Sequence, residues 1–326
     1  MSTTSICRLT SLALVALALT GCRDDSTGVT TPLAARLTAD DAPQFSEWSA
    51  PVNIGPPVNT PFIEQAPSLS KDGLSLYFHC GNCPGDVAAD LYVSQRATID
   101  DPWGTPQRLG PNLNTASSEQ GPRLSQDGHR LFFSSNRPGG SGGQDLYVAR
   151  RRDKRDDFGW GPAENLGSAV NTAVDEVTPD PFEDEVTGAN TIYFGSGPIG
   201  TGAIDIHVST QLADGTYGPG APVVELNSTS IDRQPAIGRG GLELFLASDR
   251  PGTFGTLDLW VSTRATTSEP WTTPVNLGSV VNTAVVDARP AISFKGTELY
   301  FQSPRPGGLG VFDFYVTTRT KLKGSN

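Results

Sequence analysis

One phrase recurs along this chain at nearly constant spacing, and it constrains the fold more than any other feature. It begins at Trp48 as Trp-Ser-Ala-Pro-Val-Asn-Ile-Gly and returns at Trp103, Trp160 and Trp271, with a weaker copy at Tyr217. The starts are 55, 57, 57 and 54 residues apart, and a fixed period of this order marks stacked structural units. Each copy continues in the same sequence of signals. A polar pair opens it, led by Asn59, Asn114, Asn171, Asn227 and Asn282. An acidic residue three before a proline follows, at Glu64, Glu119, Glu176, Asp232 and Asp287. A short apolar segment then meets a turn, Asp72-Gly73 or Asp127-Gly128 in the best copies, and an aromatic run follows it at 76–78, 131–133 and 299–301. A glycine-rich loop, such as the one opened by Arg137, leads to a last phrase headed by Asp90, Asp145, Asp205, Asp258 or Asp313.

Four short strands separated by turn chemistry and repeated five times predict an all-β fold, a five-bladed β-propeller of four-stranded blades. The 36 glycines and 26 prolines suit tight turns and suit long helices poorly. One blade alone cannot bury both its faces, whereas five around an axis can. The first repeat begins with an outermost strand (48–54) and the last ends after a third strand (313–317). The N-terminal strand is therefore expected to complete the last blade and remove an open sheet edge. The propeller should occupy residues 46–320, with 321–326 as a tail.

The N-terminus reads as a separate device. Arg8 precedes an apolar run at 9–19 that is too short to span a bilayer stably. It ends in Leu19-Thr20-Gly21-Cys22, which resembles the lipobox of bacterial lipoproteins. That resemblance implies a signal peptide at 1–21, a lipidated Cys22, and a flexible tether at 22–45. It also implies a lipid-anchored location in the cell envelope, on the periplasmic side of the outer membrane or at the cell surface. The formal charge of −11 repels phosphate backbones, so nucleic acid is not an expected partner. A monomer is expected.

The Glu-x-x-Pro, Ser-x-Asp-Gly, Leu-Tyr-Phe, Ser-x-Arg-Pro-Gly-Gly and Asp-Leu-Tyr-Val phrases together resemble the TolB-type, WD-like propeller repeat of bacterial envelope proteins. The likeness covers roughly residues 46–320. It implies a propeller fold and a role as a platform for protein interaction or ligand binding.

Strand order puts the five acidic residues Glu64, Glu119, Glu176, Asp232 and Asp287 near the axis at one channel mouth. A second set, Asp90, Asp145, Asp205, Asp258 and Asp313, lies further out at the same end. Converging carboxylates can hold a divalent cation such as calcium or perform acid–base work on sugars. A feature present in every blade reads first as bracing, because asymmetric chemistry needs asymmetric residues. Arg137, Arg250 and Arg305 stand in neighbouring loops and could pair with these acids. No catalytic residue and no metal-ligand set is assigned.

Blades 1 and 3 depart from the pattern. Blade 3 has Gly197-Pro-Ile-Gly-Thr-Gly in place of Arg-Pro-Gly-Gly, so Glu176 and Asp205 lack that arginine. Its longer first hairpin, at 183–190, belongs on the opposite face. Blade 1 has His79, Cys80 and Cys83 where others have serine and arginine, and these two thiols are expected to form a loop disulfide. The run at 150–157 mixes both charges and reads as a solvated loop.

The expected function is a membrane-anchored envelope lipoprotein whose propeller serves as a protein-interaction or ligand-binding platform. The alternative is a glycan-binding or glycoside-hydrolase-like propeller that uses carboxylates at the channel mouth. An enzyme needs one pocket with unlike carboxylates, a lectin needs similar pockets in each blade, and a scaffold needs neither.

Overall fold

The computed structural model describes residues 44–198 and 204–322. The expected signal peptide, the lipidated Cys22 and nearly all of the tether lie outside the described residues. Twenty strands form five antiparallel sheets of four. Strand β1 (Val52–Asn53) comes first in the chain. Blade 1 contains β2 (Ile63–Leu69), β3 (Ser75–Gly81), β4 (Asp90–Gln95) and β5 (Gln107–Arg108). Blade 2 contains β6 (Glu119–Leu124), β7 (Arg130–Ser135), β8 (Asp145–Arg150) and β9 (Glu164–Asn165). Blade 3 contains β10 (Glu176–Glu183), β11 (Asn190–Ser196), β12 (Asp205–Thr210) and β13 (Ala221–Pro222). Blade 4 contains β14 (Asp232–Ile237), β15 (Glu243–Ser248), β16 (Asp258–Thr263) and β17 (Val275–Asn276). Blade 5 contains β18 (Ala288–Ile292), β19 (Glu298–Ser303) and β20 (Asp313–Thr318), and β1 pairs with β20 as its fourth strand.

The inner strands β2, β6, β10, β14 and β18 contact one another in ring order, and β18 meets β2 to close the circle. The fold is a five-bladed β-propeller. Closure reaches slightly beyond the strands themselves, because Phe45 bridges to Lys321 and Leu322 donates to the Gln44 carbonyl.

Strand alternation builds the core. Successive side chains point to opposite faces, so each blade feeds two wedges. In β3, Leu76 and Phe78 join the cluster with Phe314 of blade 5, whereas Tyr77 joins the cluster with Phe133 and Trp160 of blade 2. In β7, Leu131 and Phe133 face blade 1 while Phe132 faces blade 3. Each fully buried aromatic of this kind contributes roughly 1.5–3 kcal/mol through the area it removes from water.

Repeated hydrogen bonds set the geometry of each blade. Asn59, Asn114, Asn171, Asn227 and Asn282 each accept from a backbone N–H of the third strand and donate to the carbonyl of the same residue, as Asn114 does with Leu91 at 2.7 and 2.9 Å. An arginine just past the third strand stacks on the repeat tryptophan in four blades: Arg96 on Trp103, Arg151 on Trp160, Arg264 on Trp271 and Arg319 on Trp48. Each also donates through Nε to a turn carbonyl, of Gly73, Gly128, Gly241 or Gly296.

The run at 150–157 is exposed at Arg150 and over 152–156, as its composition predicts, but two of its residues turn inward. Arg151 and Asp157 are buried and pair at 2.6 Å. Asp157 also accepts from Ser75 Oγ, Tyr77 Oη and Gln95 Nε2 of blade 1, all within 2.7 Å. The charged run therefore carries a latch between blades 1 and 2.

Candidate functional site

The five inner strands begin at one end of the axis, here the entry end, and finish at the other, the exit end. Glu64, Glu119, Glu176, Asp232 and Asp287 stand at the entry end but do not face its mouth, each being at most 1 % exposed. Every one accepts from the backbone N–H and the hydroxyl of the residue four positions earlier: Thr60, Thr115, Thr172, Ser228 or Thr283. Arg137, Arg250 and Arg305 complete the arrangement by pairing with Glu119, Asp232 and Asp287. Each of these arginines also donates to a loop carbonyl, of Leu113, Leu226 or Val281. The ring braces the loop that enters each blade.

Blades 1 and 3 lack that arginine, and their carboxyls respond to it. Burial pushes Glu64 up to about 7 against the opposing Thr60 hydrogen bonds. Burial likewise raises Glu176. Glu176 is held by Thr172 and Ser196 and is fully buried, so the missing arginine does not open it to a ligand. Much of the neighbouring loop, 199–203, lies outside the described residues.

The outer aspartates are also structural. Asp145, Asp258 and Asp313 each cap two backbone N–H groups of the glycine-rich loop and accept from the Asn of the fourth strand, Asn165, Asn276 or Asn53. Asp90 pairs instead with Arg108 at 2.7 Å, and burial with the adjacent Asp86 raises it to about 6. Burial also raises Asp205, and Asp232 adds to the shift. Cys80 and Cys83 are joined as a disulfide. Their sulfurs lie near Glu64, but a disulfide sulfur is not a thiolate ligand.

The unlike residues are found two or three positions further along each inner strand. All five strands carry a register irregularity there. The residue before the repeated proline has positive φ in every blade: Ala66 (56°), Gly121 (61°), Thr178 (49°), Gln234 (60°) and Arg289 (54°). Only glycine adopts this backbone freely, so four non-glycine residues hold a conformation that the surrounding structure must enforce. Adjacent blades supply the enforcing bonds. The Ala66 N–H donates to Gln302 Oε1 of blade 5, the Gly121 N–H to His79 Nδ1 of blade 1, and the Arg289 N–H to Gln234 Oε1 of blade 4. Burial, then the charge of Arg289, drives the His79 pKa well down, so the ring is neutral. Because Nδ1 accepts, the proton belongs on Nε2, which reaches Gln65 Oε1 at 3.2 Å.

One residue past the proline, a single ion pair ties the whole ring together. Arg123 of blade 2 donates to the carbonyls of Pro67 in blade 1 and Pro290 in blade 5. Its Nε lies 3.4 Å from Asp180 of blade 3, and Asp180 accepts from the Ile237 N–H of blade 4 at 2.5 Å. Burial raises Asp180 to about 6 against the pull of Arg123. All five blades thus meet at one pair of side chains.

This pair forms part of the wall of a small pocket of about 80 Å³ at the exit end, with Lys71, Gln126, Arg239 and Phe294 also among its lining residues. Its polar groups are largely committed already. Lys71 and Arg239 both stack on Phe294, and Arg239 pairs with Glu185. The entry end is different in kind. Gln65, Gln120, Arg233 and Arg289 are half-buried there, and two of their donors, Arg233 Nε and Arg289 Nη1, are buried without a partner. Two guanidinium groups and two amides at one end of a channel are suited to hydroxyl and carboxylate oxygens. The repeat hid them, because its fixed acid and proline draw attention to what all blades share. The legible signal was the variable pair between each repeated acid and its proline.

No protein-family model matches the sequence, and no curated protein matches it. Similar solved structures do exist. The chain is similar to an α-L-arabinofuranosidase from Lactobacillus brevis, with a TM-score of 0.55 at 12 % identity over 81 % of this chain and 92 % of that one. It is also similar to the catalytic domain of the Coprinopsis cinerea GH62 α-L-arabinofuranosidase, with a TM-score of 0.55 at 11 % identity over 89 % and 100 %. An endo-arabinase from Bacteroides thetaiotaomicron gives a TM-score of 0.53 at 13 % identity over 87 % and 100 %. These neighbours overturn the TolB-type resemblance and, with it, the expected envelope lipoprotein platform. The phrases that carried that resemblance are the Thr–Glu braces, the Asp-capped loops and the turn signals described above. Such elements report how a four-stranded blade is built, not which propellers it belongs with. At this identity the likeness establishes a shared fold alone, a five-bladed β-propeller.

Proposed function

We propose that this protein binds a glycan at the entry end of its propeller axis. One observation carries the reading: the inner strands of blades 4 and 5 bring Arg233 and Arg289 to this end with Arg233 Nε and Arg289 Nη1 buried and unpartnered, and the half-buried Gln65 and Gln120 stand on the inner strands of blades 1 and 2 at the same end. Sugar hydroxyls supply the acceptors such donors require. The neighbouring folds belong to proteins named for acting on arabinan and arabinofuranosides, which makes pentose-containing plant glycans the first class to try.

Binding is favoured over hydrolysis by the state of the carboxylates. Canonical glycoside hydrolysis uses two carboxyl groups flanking the scissile bond. The ring acids described here are sealed by hydroxyl and backbone donors, and Asp180 is engaged by Arg123 and Ile237. The test is isothermal titration of the intact protein with arabino- and xylo-oligosaccharides, alongside a reducing-sugar assay. Saturable binding without sugar release supports the proposal. Sugar release would replace it with a hydrolase reading and direct mutagenesis to Asp180. Absence of both would overturn it.

A further inference from the structure

We infer that Arg233 and Arg289 form a carboxylate site at the axis, so that the glycan recognised there bears a uronic acid. This rests on the glycan-binding reading and names the class of sugar.

The two arginines occupy neighbouring inner strands, β14 and β18, at staggered heights below the acidic ring. Neither makes an ion pair within 4.0 Å among the described residues, unlike Arg123, Arg137, Arg250 and Arg305. Arg233 Nε and Arg289 Nη1 are buried with no hydrogen-bond partner. A buried guanidinium N–H left unmatched is costly, and the cost is removed by an acceptor.

Among the described residues the neighbouring acceptors are already engaged. Asp180 is committed to Arg123 and Ile237. Asp249 accepts from the Ile231 N–H at 2.8 Å and influences Arg233 only through space. Gln234 Oε1 is used by the Arg289 backbone N–H, and the neutral His79 is used by Gly121 and Gln65. The ring acids Asp232 and Asp287, one position before Arg233 and two before Arg289, are each bound by their own loop arginine. Arg289 accordingly feels burial first and then the repulsion of Arg233 and Arg123, which depresses it to about 9. Three arginines share this stretch of the axis, and Asp180, placed between blades there, is engaged by Arg123.

A neutral hydroxyl satisfies a hydrogen-bond donor and leaves like-charge repulsion in place. A carboxylate does both tasks, since a guanidinium fork matches its two oxygens and its charge offsets the repulsion. With Gln65 Oε1 taken by His79 and Gln120 Nε2 by Ser118, Gln65 Nε2 and Gln120 Oε1 remain for the sugar hydroxyls.

The experiment titrates the intact protein with glucuronic-acid-branched xylo-oligosaccharides, with the unbranched oligosaccharides of equal length, and with sodium glucuronate alone. It is repeated on Arg289→Gln and Arg289→Lys. Charge-assisted hydrogen bonds of this type correspond to about a 10- to 100-fold preference for the branched sugar. That preference should vanish in Arg289→Gln and recover in part in Arg289→Lys. Without ligand, Arg289→Gln should melt no lower than the wild type, because it removes an uncompensated buried cation, so lost binding is not lost folding. Equal affinity for branched and unbranched sugars, unchanged by Arg289→Gln, would overturn the inference and leave glycan binding intact. Arg289-dependent binding of glucuronate without binding of any oligosaccharide would uphold the carboxylate site and overturn the glycan reading. Failure to bind any of the three would overturn both.

Discussion

Glu64 gives the sharpest quantitative test of the bracing scheme. Its carboxyl is 1 % exposed and receives the N–H and hydroxyl of Thr60 but, among the described residues, no cation. Blades 2, 4 and 5 add an arginine at this point, and blade 1 has the Cys80–Cys83 disulfide loop instead. Burial therefore raises Glu64 from 4.5 to about 7. A carboxyl whose folded pKa lies above its unfolded value binds its proton more tightly in the native state. Its favourable contribution is fully present below pH 4 and is lost as pH rises through 7. A shift of this size amounts to about 3 kcal/mol across that window. Glu64→Gln removes the titration while keeping an acceptor for the Thr60 N–H and a donor for its hydroxyl. Urea unfolding followed by tryptophan fluorescence, at intervals from pH 4.5 to 9, measures the difference. The variant should gain about 3 kcal/mol relative to wild type between the ends of this range. Glu119→Gln, which leaves Arg137 without its ion pair, should instead lose about 1.5–3 kcal/mol at neutral pH. Parallel pH profiles for wild type and Glu64→Gln would refute the reasoning, because they would mean Glu64 is ionised as readily as in the unfolded chain.

Three further outcomes are expected. Asp180→Ala leaves Arg123 buried without its counter-charge at the point where all blades meet, and should cost about 3–5 kcal/mol in chemical denaturation; a loss under about 1 kcal/mol would show that the pair is not a central tie. Arg264→Ala removes both the stack on Trp271 and the bond to the Gly241 carbonyl, and should cost about 1–3 kcal/mol, with Arg264→Lys recovering little because Nζ cannot reproduce the planar stack. Deleting residues 44–54 takes away β1 and its pairing with β20, so the melting temperature should fall sharply and the exposed edge should promote association; an unchanged transition would refute ring closure by the N-terminal strand.

Residues close in sequence or related by the repeat were the legible ones. The blade number, the four strands per blade and closure through β1 follow from turn residues, alternation and period. Each is enforced by contacts within one blade or copied from blade to blade. The pairing of Arg137 with Glu119 was readable for the same reason, since loop and acid belong to one blade. The axis was not readable in this way. Arg123 meets Pro290 across 167 residues and Asp180 meets Ile237 across 57, and nothing local marks those partners. The buried Asp157 of the otherwise exposed run at 150–157 was hidden for a related reason, because it is covered by blade 1 residues some 80 positions earlier. Composition gives a residue its chemistry, and the repeat gives it a place in a blade. Which side chains end up facing one another across the channel, and which guanidinium is left without a partner there, depends on how five similar strands converge. That is decided only when the ring closes.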